Sequence, residues 1–358
     1  MLSSGEFLYA ARALCHLERS EQRECGRKIS DSFASAKPVP DSGVREALRL
    51  PEPTGEIEAS TDSLDRTRQN ADAGLTRQAA IFSVDVEDWF HILELSEAPD
   101  LAHWESLPSH VAKNFGELLD LFSRYDVNVT CFFLGWIAQR FPELVRDAAA
   151  RGHEIASHGY SHTLCSEMTP DAFFEDIRRA KSIIEDILGR SIRGYRAPGF
   201  SVTSKTPWFF DKLVQAGFTY DSSIFPMRRA HGGIRNFSCV PHVIKTRYGS
   251  LVEFPISITH AWGLPMYFFG GGYLRLFPYS LVRRMSRKVM AEGRPVIFYL
   301  HPREIEPNHP RMRMNPLRRL KSSVGLRTTE SKLCRLLEDF PVTTFQNYLS
   351  TSPFAQLG

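Results

Sequence analysis

Asp85, Glu87 and Asp88 put three carboxylates within four positions, and His91 follows three residues later. They close the apolar run Ile81-Phe82-Ser83-Val84. Adjacent carboxylates repel one another and desolvate poorly, so a strand ending in such a cluster needs compensation. A bound cation or a proton-transfer role supplies it. A solvated acidic turn avoids the cost with no function at all. Further along, His158-Gly159-Tyr160-Ser161-His162 sets two imidazoles four positions apart. In a helical turn, positions i and i+4 share a face, so both rings can converge on one ion. Two histidines and one carboxylate with open positions make a catalytic-type site for zinc, cobalt, manganese or iron. Two surface histidines are the bland alternative.

Three more strand ends carry reactive types. Tyr195-Arg196-Ala197-Pro198-Gly199-Phe200 offers a guanidinium fork that would orient a nearby carboxylate and hold it ionised. A turn with a surface arginine is the simpler reading. Asp221-Ser222-Ser223 fits an Asx turn. Leu300-His301-Pro302 ends the most apolar strand, and the proline forces a sharp exit that aims the ring at the end of the sheet.

The elements that must position these groups alternate. Strands are predicted over 80–84, 128–134, 153–157, 194–197, 218–221, 251–254, 295–300 and 342–345. Helices are predicted over 109–125, 141–151, 170–188, 207–217, 278–292 and 331–339. Thr169 caps the third helix, with Pro170 at its first position and Gly189 after its end. This alternation is an α/β pattern with parallel strands. Polar residues at strand ends point to a barrel with its site at the C-terminal rim.

Composition narrows the class. The chain has 358 residues, 42% of them hydrophobic, enough for a sizeable core. A net charge of +3 gives no polyanion-binding signature. Cysteines 15, 25, 131, 165, 239 and 334 are scattered without a CxxC, against a zinc ribbon and against a disulfide scaffold. Residues 1–79 hold three of the 41 aromatic residues and are rich in Ser, Glu, Arg and Pro. They are expected to be disordered. No apolar run is long enough for a transmembrane helix. Phe7 to Leu17 is interrupted by Arg12 and does not read as a signal peptide, so a cytoplasmic location is expected. Between Arg275 and Arg335 there are 15 Lys and Arg against four Asp and Glu. That run reads first as a solvated basic surface, and second as peripheral contact with an anionic polymer or membrane. Aromatics are sparse within it, so no nucleic-acid partner is expected.

Taken together, SVDVED, HGYSH, YRAPGF, YDSS and YLHP, in this order, resemble the polysaccharide deacetylases with the NodB homology domain. The resemblance covers roughly residues 80–305. It implies a distorted (β/α)7 barrel over 80–305, with 306–358 as a C-terminal extension packing on it. It implies removal of N-acetyl groups from polymers of N-acetylglucosamine and related sugars, with a divalent metal, zinc first and cobalt, manganese or iron as alternatives. The region from Trp262 onward looks like that of deacetylases from exosortase-linked exopolysaccharide loci.

By motif, Asp85 stands at the general base, His158 and His162 at the metal histidines, and Arg196 at the residue that orients the base. His301 stands at the general acid and Leu300 in the acetyl pocket, with Tyr160, Pro198 and Trp89 in substrate contact. A backbone N–H near Tyr160 or Arg196 would hold the oxyanion. One departure stands out: Val86 follows Asp85 where the family has a second aspartate. The carboxylate ligand is then Asp88, slightly favoured, or Glu87, which shares a face with Asp85 if the backbone stays extended. A small-molecule amidase on the same barrel and a non-catalytic carbohydrate-binding protein are the competing readings.

Overall fold

The computed structural model describes residues 79–93, 99–229, 231–261, 264–310, 312 and 322–355. The expected disorder of the N-terminal segment and most of the basic run 311–321 lie outside the described residues. In chain order the elements begin with β1 (Ala80–Val86), α1 (Val111–Arg124), β2 (Thr130–Phe133), α2 (Gly135–Arg140), α3 (Pro142–Ala150) and β3 (Glu154–Ser157). Next come α4 (Pro170–Leu188), β4 (Gly194–Tyr195), α5 (Phe209–Gln215), β5 (Tyr220–Asp221), β6 (His242–Thr246) and β7 (Gly249–Glu253). The chain continues through β8 (Thr259–Ala261), β9 (Leu264–Met266), α6 (Gly271–Leu276), α7 (Tyr279–Ala291) and β10 (Val296–Leu300). It closes with α8 (Thr329–Asp339), β11 (Val342–Thr343) and α9 (Phe345–Thr351).

Seven strands run parallel in the order β10-β1-β2-β3-β4-β5-β7, with β6 antiparallel on the β7 edge. The sheet curls. Ile81 on β1 and Val252 on β7 share one buried cluster with Phe132, Ala156, Tyr220 and Ile297. In a flat sheet β1 and β7, five strand spacings apart, would lie about 24 Å from each other. Among the described residues no ladder joins β6 or β7 to β10, so the barrel is open there.

Side chains close the bottom. Phe345 on α9 packs against Tyr220 at 5.4 Å, Phe254 at 5.0 Å and Phe132 at 5.7 Å between ring centroids. Beside it, the Glu154 carboxyl accepts from Thr130 Oγ1 and Tyr220 Oη, each at 2.6 Å, and from Gln346 N at 3.0 Å. Burial raises its pKa despite these bonds. The strand predicted over 342–345 ends at Thr343: Thr344 instead caps α9, its Oγ1 accepting from Asn347 N at 3.1 Å. β11 also pairs with β1, so the C-terminal segment is built into the sheet as well as packed beneath it.

The basic run is less superficial than its composition suggests. Arg275 and Arg294 are buried, and Lys332 Nζ donates to the carbonyls of Leu274, Arg275 and Phe277 at the end of α6. Burial pulls Lys332 down to about 8. Among the described residues, no helix is long and apolar enough to cross a membrane.

Candidate active site

The site forms where β1, β3, β4 and β10 end. Along β1 alternate residues face inward, so Ile81, Ser83 and Asp85 line the barrel. Asp85 Oδ1 accepts from Arg196 NH1 at 2.7 Å, and the same nitrogen donates to Ser83 Oγ at 2.7 Å. Arg196 is the largest fully buried side chain of the described residues. Its Nε donates to the Ser222 carbonyl and its NH2 to Ser222 Oγ, both at 3.2 Å. Its guanidinium carbon lies 4.2 Å from the Phe132 ring centroid, a cation–π contact. The turn after β5 therefore serves Asp85 indirectly. Ser223 Oγ donates to Asp221 Oδ1 and accepts from Ala197 N, holding the 221–223 turn against the one after β4.

Glu87, and not Asp88, meets the histidines. Glu87 Oε1 lies 3.2 Å from His158 Nε2 and 2.9 Å from His162 Nε2. The backbone stays extended to Val86, so Glu87 keeps the face of Asp85 and Asp88 takes the opposite one. Asp88 has other work. Its Oδ1 accepts from Trp89 N at 2.8 Å, and its Oδ2 accepts from Ser109 Oγ, His110 N and Val111 N. His110 supplies no side-chain cap to α1. Asp88 does so from 22 residues away, at the helix end that favours an anion. The geometry thus sets Glu87, rather than the slightly favoured Asp88, beside the two imidazoles.

His158 Nδ1–H donates to the Arg196 carbonyl at 2.8 Å, which leaves the Nε2 lone pair facing Glu87. His162 adopts φ 52°, and Gly159 φ 74°, so a left-handed turn brings the second imidazole around in place of helical i, i+4 spacing. One ligand atom from each of Glu87, His158 and His162 lies within 4.8 Å of the others. Burial alone would push the Glu87 carboxyl up. The imidazoles of His162 and His301 outweigh burial and hold Glu87 well below the usual carboxylate range.

His301 completes the ring. Its Nε2 lies 4.0 Å from Asp85 Oδ2 and 3.8 Å from Glu87 Oε1, with 16% of the side chain exposed. Nδ1 is bonded to Glu304 Oε1 at 2.6 Å. Burial opposes charging His301, but Glu87 and Glu304 prevail and raise its pKa. Glu304 is held down to about 2, because Arg275 and His301 outweigh the cost of its burial.

The remaining expected contacts fare differently. Leu300 is buried and lies on the opposite face of β10 from His301. Tyr299 shares the His301 face, its ring 6.1 Å from the imidazole, so alternation selects Tyr299 over Leu300 as a wall of the site. Both backbone donors expected for an oxyanion are taken: Tyr160 N–H by Asp176 Oδ2 at 2.8 Å and Arg196 N–H by the Ser157 carbonyl at 3.0 Å. Tyr160 Oη donates to Gln139 Oε1, and its ring lies under Arg179. Trp89 is buried with its indole N–H on the Pro108 carbonyl, and Pro198 is buried in the turn after β4. A cavity of about 630 Å³ opens beside Tyr160 and Ser161, flanked by Gln139, Arg178 and Arg179; Asp85, Glu87 and His301 do not line it.

Sequence reasoning missed Glu304, Arg275 and Ser83, and it named His91 without giving it a role. An H-x-x-E spacing at 301–304 could have flagged Glu304, since one tight turn brings i and i+3 together. His91 packs 4.2 Å from the Trp104 ring, and its Nδ1 accepts from Asp88 N at 3.0 Å. Burial pushes His91 well down, so it stays neutral.

Residues 104–220 match the family model for polysaccharide deacetylase, and residues 222–350 match a domain of unknown function (DUF3473). The boundary between them cuts one sheet, with β7 and β10 on the far side. A peptidoglycan deacetylase of Helicobacter pylori is 32% identical over 107 residues, covering 30% of this chain and 36% of that protein. A peptidoglycan-N-acetylglucosamine deacetylase of Bacillus cereus is 26% identical over 106 residues, covering 30% of this chain and 39% of that protein. The chain thus spans well under half the length of these relatives. Among solved structures, a Mycobacterium smegmatis protein assigned to the polysaccharide deacetylases has a TM-score of 0.55 at 20% identity, covering 78% of this chain and 91% of that one. An allantoinase has a TM-score of 0.52 at 17% identity, covering 78% and 92%. These structural likenesses establish the fold. The family model and these relatives show similarity to polysaccharide deacetylases over about a third of the chain.

Proposed function

We propose, from the polysaccharide deacetylase match, that this chain is a metal-dependent hydrolase that removes N-acetyl groups from an N-acetylated amino-sugar glycan. The observation that carries the reading is the convergence of Glu87 Oε1 with His158 Nε2 and His162 Nε2 beside an arginine-held Asp85 and a carboxylate-held His301. The donor set fits a divalent ion: one carboxylate faces two imidazoles, and the Nδ1–H bond of His158 directs its Nε2 lone pair inward. Zinc suits such ligands, as do cobalt, manganese and iron. When bound, the ion polarises the acetamide carbonyl and lowers the pKa of a water towards about 7 in the best zinc cases.

The chain's own groups do the rest. Asp85, held by Arg196 through Oδ1, accepts the proton of the attacking water on Oδ2, the oxygen turned towards His301. His301 Nε2–H protonates the amine nitrogen as the C–N bond breaks. Acetate and a free amino sugar leave. An exopolysaccharide is the substrate class we propose within that reading.

The test is acetate release by the zinc-loaded protein. The panel comprises chitooligosaccharides, peptidoglycan fragments and a poly-N-acetylglucosamine exopolysaccharide, with allantoin as the small-molecule arm. We expect release from at least one glycan, abolished by chelation, restored by zinc and lost in Asp85→Asn. Hydrolysis of allantoin alone, or glycan binding without acetate release by zinc-loaded protein, would overturn the reading.

A further inference from the structure

The acid half of the site hangs on residues that no motif marks. Glu304 Oε1 holds His301 Nδ1 at 2.6 Å, and Glu304 Oε2 pairs with Arg275 Nε at 3.1 Å. Both partners of that pair are buried, with 2% and 6% of their side chains exposed. Arg275 NH1 in turn donates to the carbonyl of Ser322 at 2.7 Å and to that of Val324 at 3.3 Å. The arginine therefore bridges the carboxylate behind His301 to the backbone of the C-terminal segment.

The backbone around this train is fitted closely. A Cβ on Gly325, which adopts φ 69°, would lie 2.3 Å from the Arg275 carbonyl oxygen. A Cβ on Gly270 would lie 2.2 Å from the Tyr299 ring. Helix α6 is thereby set between β10 and residues 322–325. A buried guanidinium and a buried carboxylate are each costly to desolvate, and such a pair adds little to stability compared with apolar packing. Its presence directly behind the imidazole that faces Asp85 calls for a reason other than stability.

We propose that Arg275 is a positioning residue for His301, acting through Glu304. On this view the match of unknown function, residues 222–350, supplies the acid half of the site: His301, Glu304, Arg275 and the 322–324 carbonyls. The inference rests on the deacetylase reading for its chemistry. Glu304, fixed by Arg275, takes the Nδ1–H bond and so fixes the ring with Nε2–H aimed at the departing nitrogen. That proton goes to the amine as the C–N bond breaks, and Glu304 keeps its charge throughout.

A leaving group that needs no proton separates this role from a structural one. The variants are Glu304→Gln, Arg275→Met, Arg275→Lys and the Glu304→Gln/Arg275→Met double, each checked for folding by thermal melt. Each is assayed zinc-loaded on an N-acetylglucosamine oligomer and on 4-nitrophenyl acetate. General acid catalysis contributes about 10²–10⁴-fold, so Glu304→Gln should lower amide kcat by about 100-fold, with KM and aryl-ester turnover within about twofold. Arg275→Met should cost about tenfold and Arg275→Lys less, through the same selective loss. The double should be no worse than Glu304→Gln, because groups acting in series are not additive.

Equal losses on amide and ester, or additive losses in the double, would overturn the proposal. A second readout needs no activity: the His301 Nδ1 proton should give a far-downfield NMR resonance, lost in Glu304→Gln and moved upfield in Arg275→Met. If the wild type releases no acetate from any glycan, the deacetylase reading fails while this resonance still decides the positioning. A resonance unmoved by Arg275→Met would overturn it.

Discussion

Exchanging the charges of the two neighbouring acids in turn should produce opposite failures. Asp88→Asn keeps one acceptor oxygen and turns an NH2 towards Ser109 Oγ, His110 N and Val111 N, the three donors now served by Oδ2. Ser109 can rotate its hydroxyl and accept, and His110 N retains Oδ1 at 3.2 Å, but the Val111 N–H has no such escape. A hydrogen bond to a charged group is worth about 1.5–3 kcal/mol, and an anion at a helix N-terminus adds about 0.3–1 kcal/mol. The variant should therefore lose about 3 kcal/mol, or about 6–12 °C in Tm at about 2–4 °C per kcal/mol for a domain of this order. Its stabilisation by zinc should be unchanged.

Glu87→Gln should do the reverse. Loss of even an outer-shell partner costs a metal site about 10–100-fold in affinity, so a direct ligand should cost about 100-fold or more. At zinc 1,000-fold above the wild-type Kd, metal stabilises the wild type by about 4.1 kcal/mol; a 100-fold weaker site leaves about 1.4 kcal/mol. Melting each variant with chelator and with zinc reads both effects. The reasoning is refuted if Asp88→Asn abolishes the zinc-induced shift while Glu87→Gln keeps it.

Two further perturbations bear on the buried charges. Arg196→Met should destabilise by about 3–5 kcal/mol, since Asp85 is left buried with an uncompensated charge. Adding Asp85→Asn should recover part of that loss in urea denaturation, and strictly additive losses would count against the ion pair. Asp221 and Glu253 face each other across β5 and β7 and are both fully buried. Burial raises Asp221 to about 6 and Glu253, with Asp221 adding, well above its ordinary range. Above about pH 4 the folded protein then holds more protons than the unfolded chain, so stability falls as pH rises through 6 and beyond. The urea midpoint of Glu253→Gln should gain on that of the wild type between pH 5 and pH 8. A constant difference would rule out the raised carboxyl of Glu253.

What the sequence made legible follows from range. Asp85, His158, Arg196 and His301 each lie at a strand end and His162 follows His158 by four positions, so local pattern suffices to nominate them, and the curl of the sheet brings them together. Strand alternation alone assigns Tyr299 to the His301 face, and Leu300, nominated by motif analogy, to the other. Asp88 could not be assigned that way. Its partners at Ser109, His110 and Val111 lie across a loop, and nothing local to 85–88 marks one acid as a helix cap.

Arg275 is harder still. In sequence it opens a basic run, and composition reads such a run as solvated surface. In the fold its guanidinium lies between Glu304 and two C-terminal carbonyls, contacts separated by 29, 47 and 49 positions along the chain. Composition averages over such a residue, because the charge that matters is the one withdrawn from the surface. The side of the site formed by Asp85, Glu87, His158, His162 and Arg196 is built within residues 85–196, whereas the His301 side requires α6, β10 and residues 322–324 to meet. On the proposed chemistry, that division gives the C-terminal half a reason to be present: cut away from the sheet, the first half would retain the proposed base and metal ligands with no donor for the departing amine.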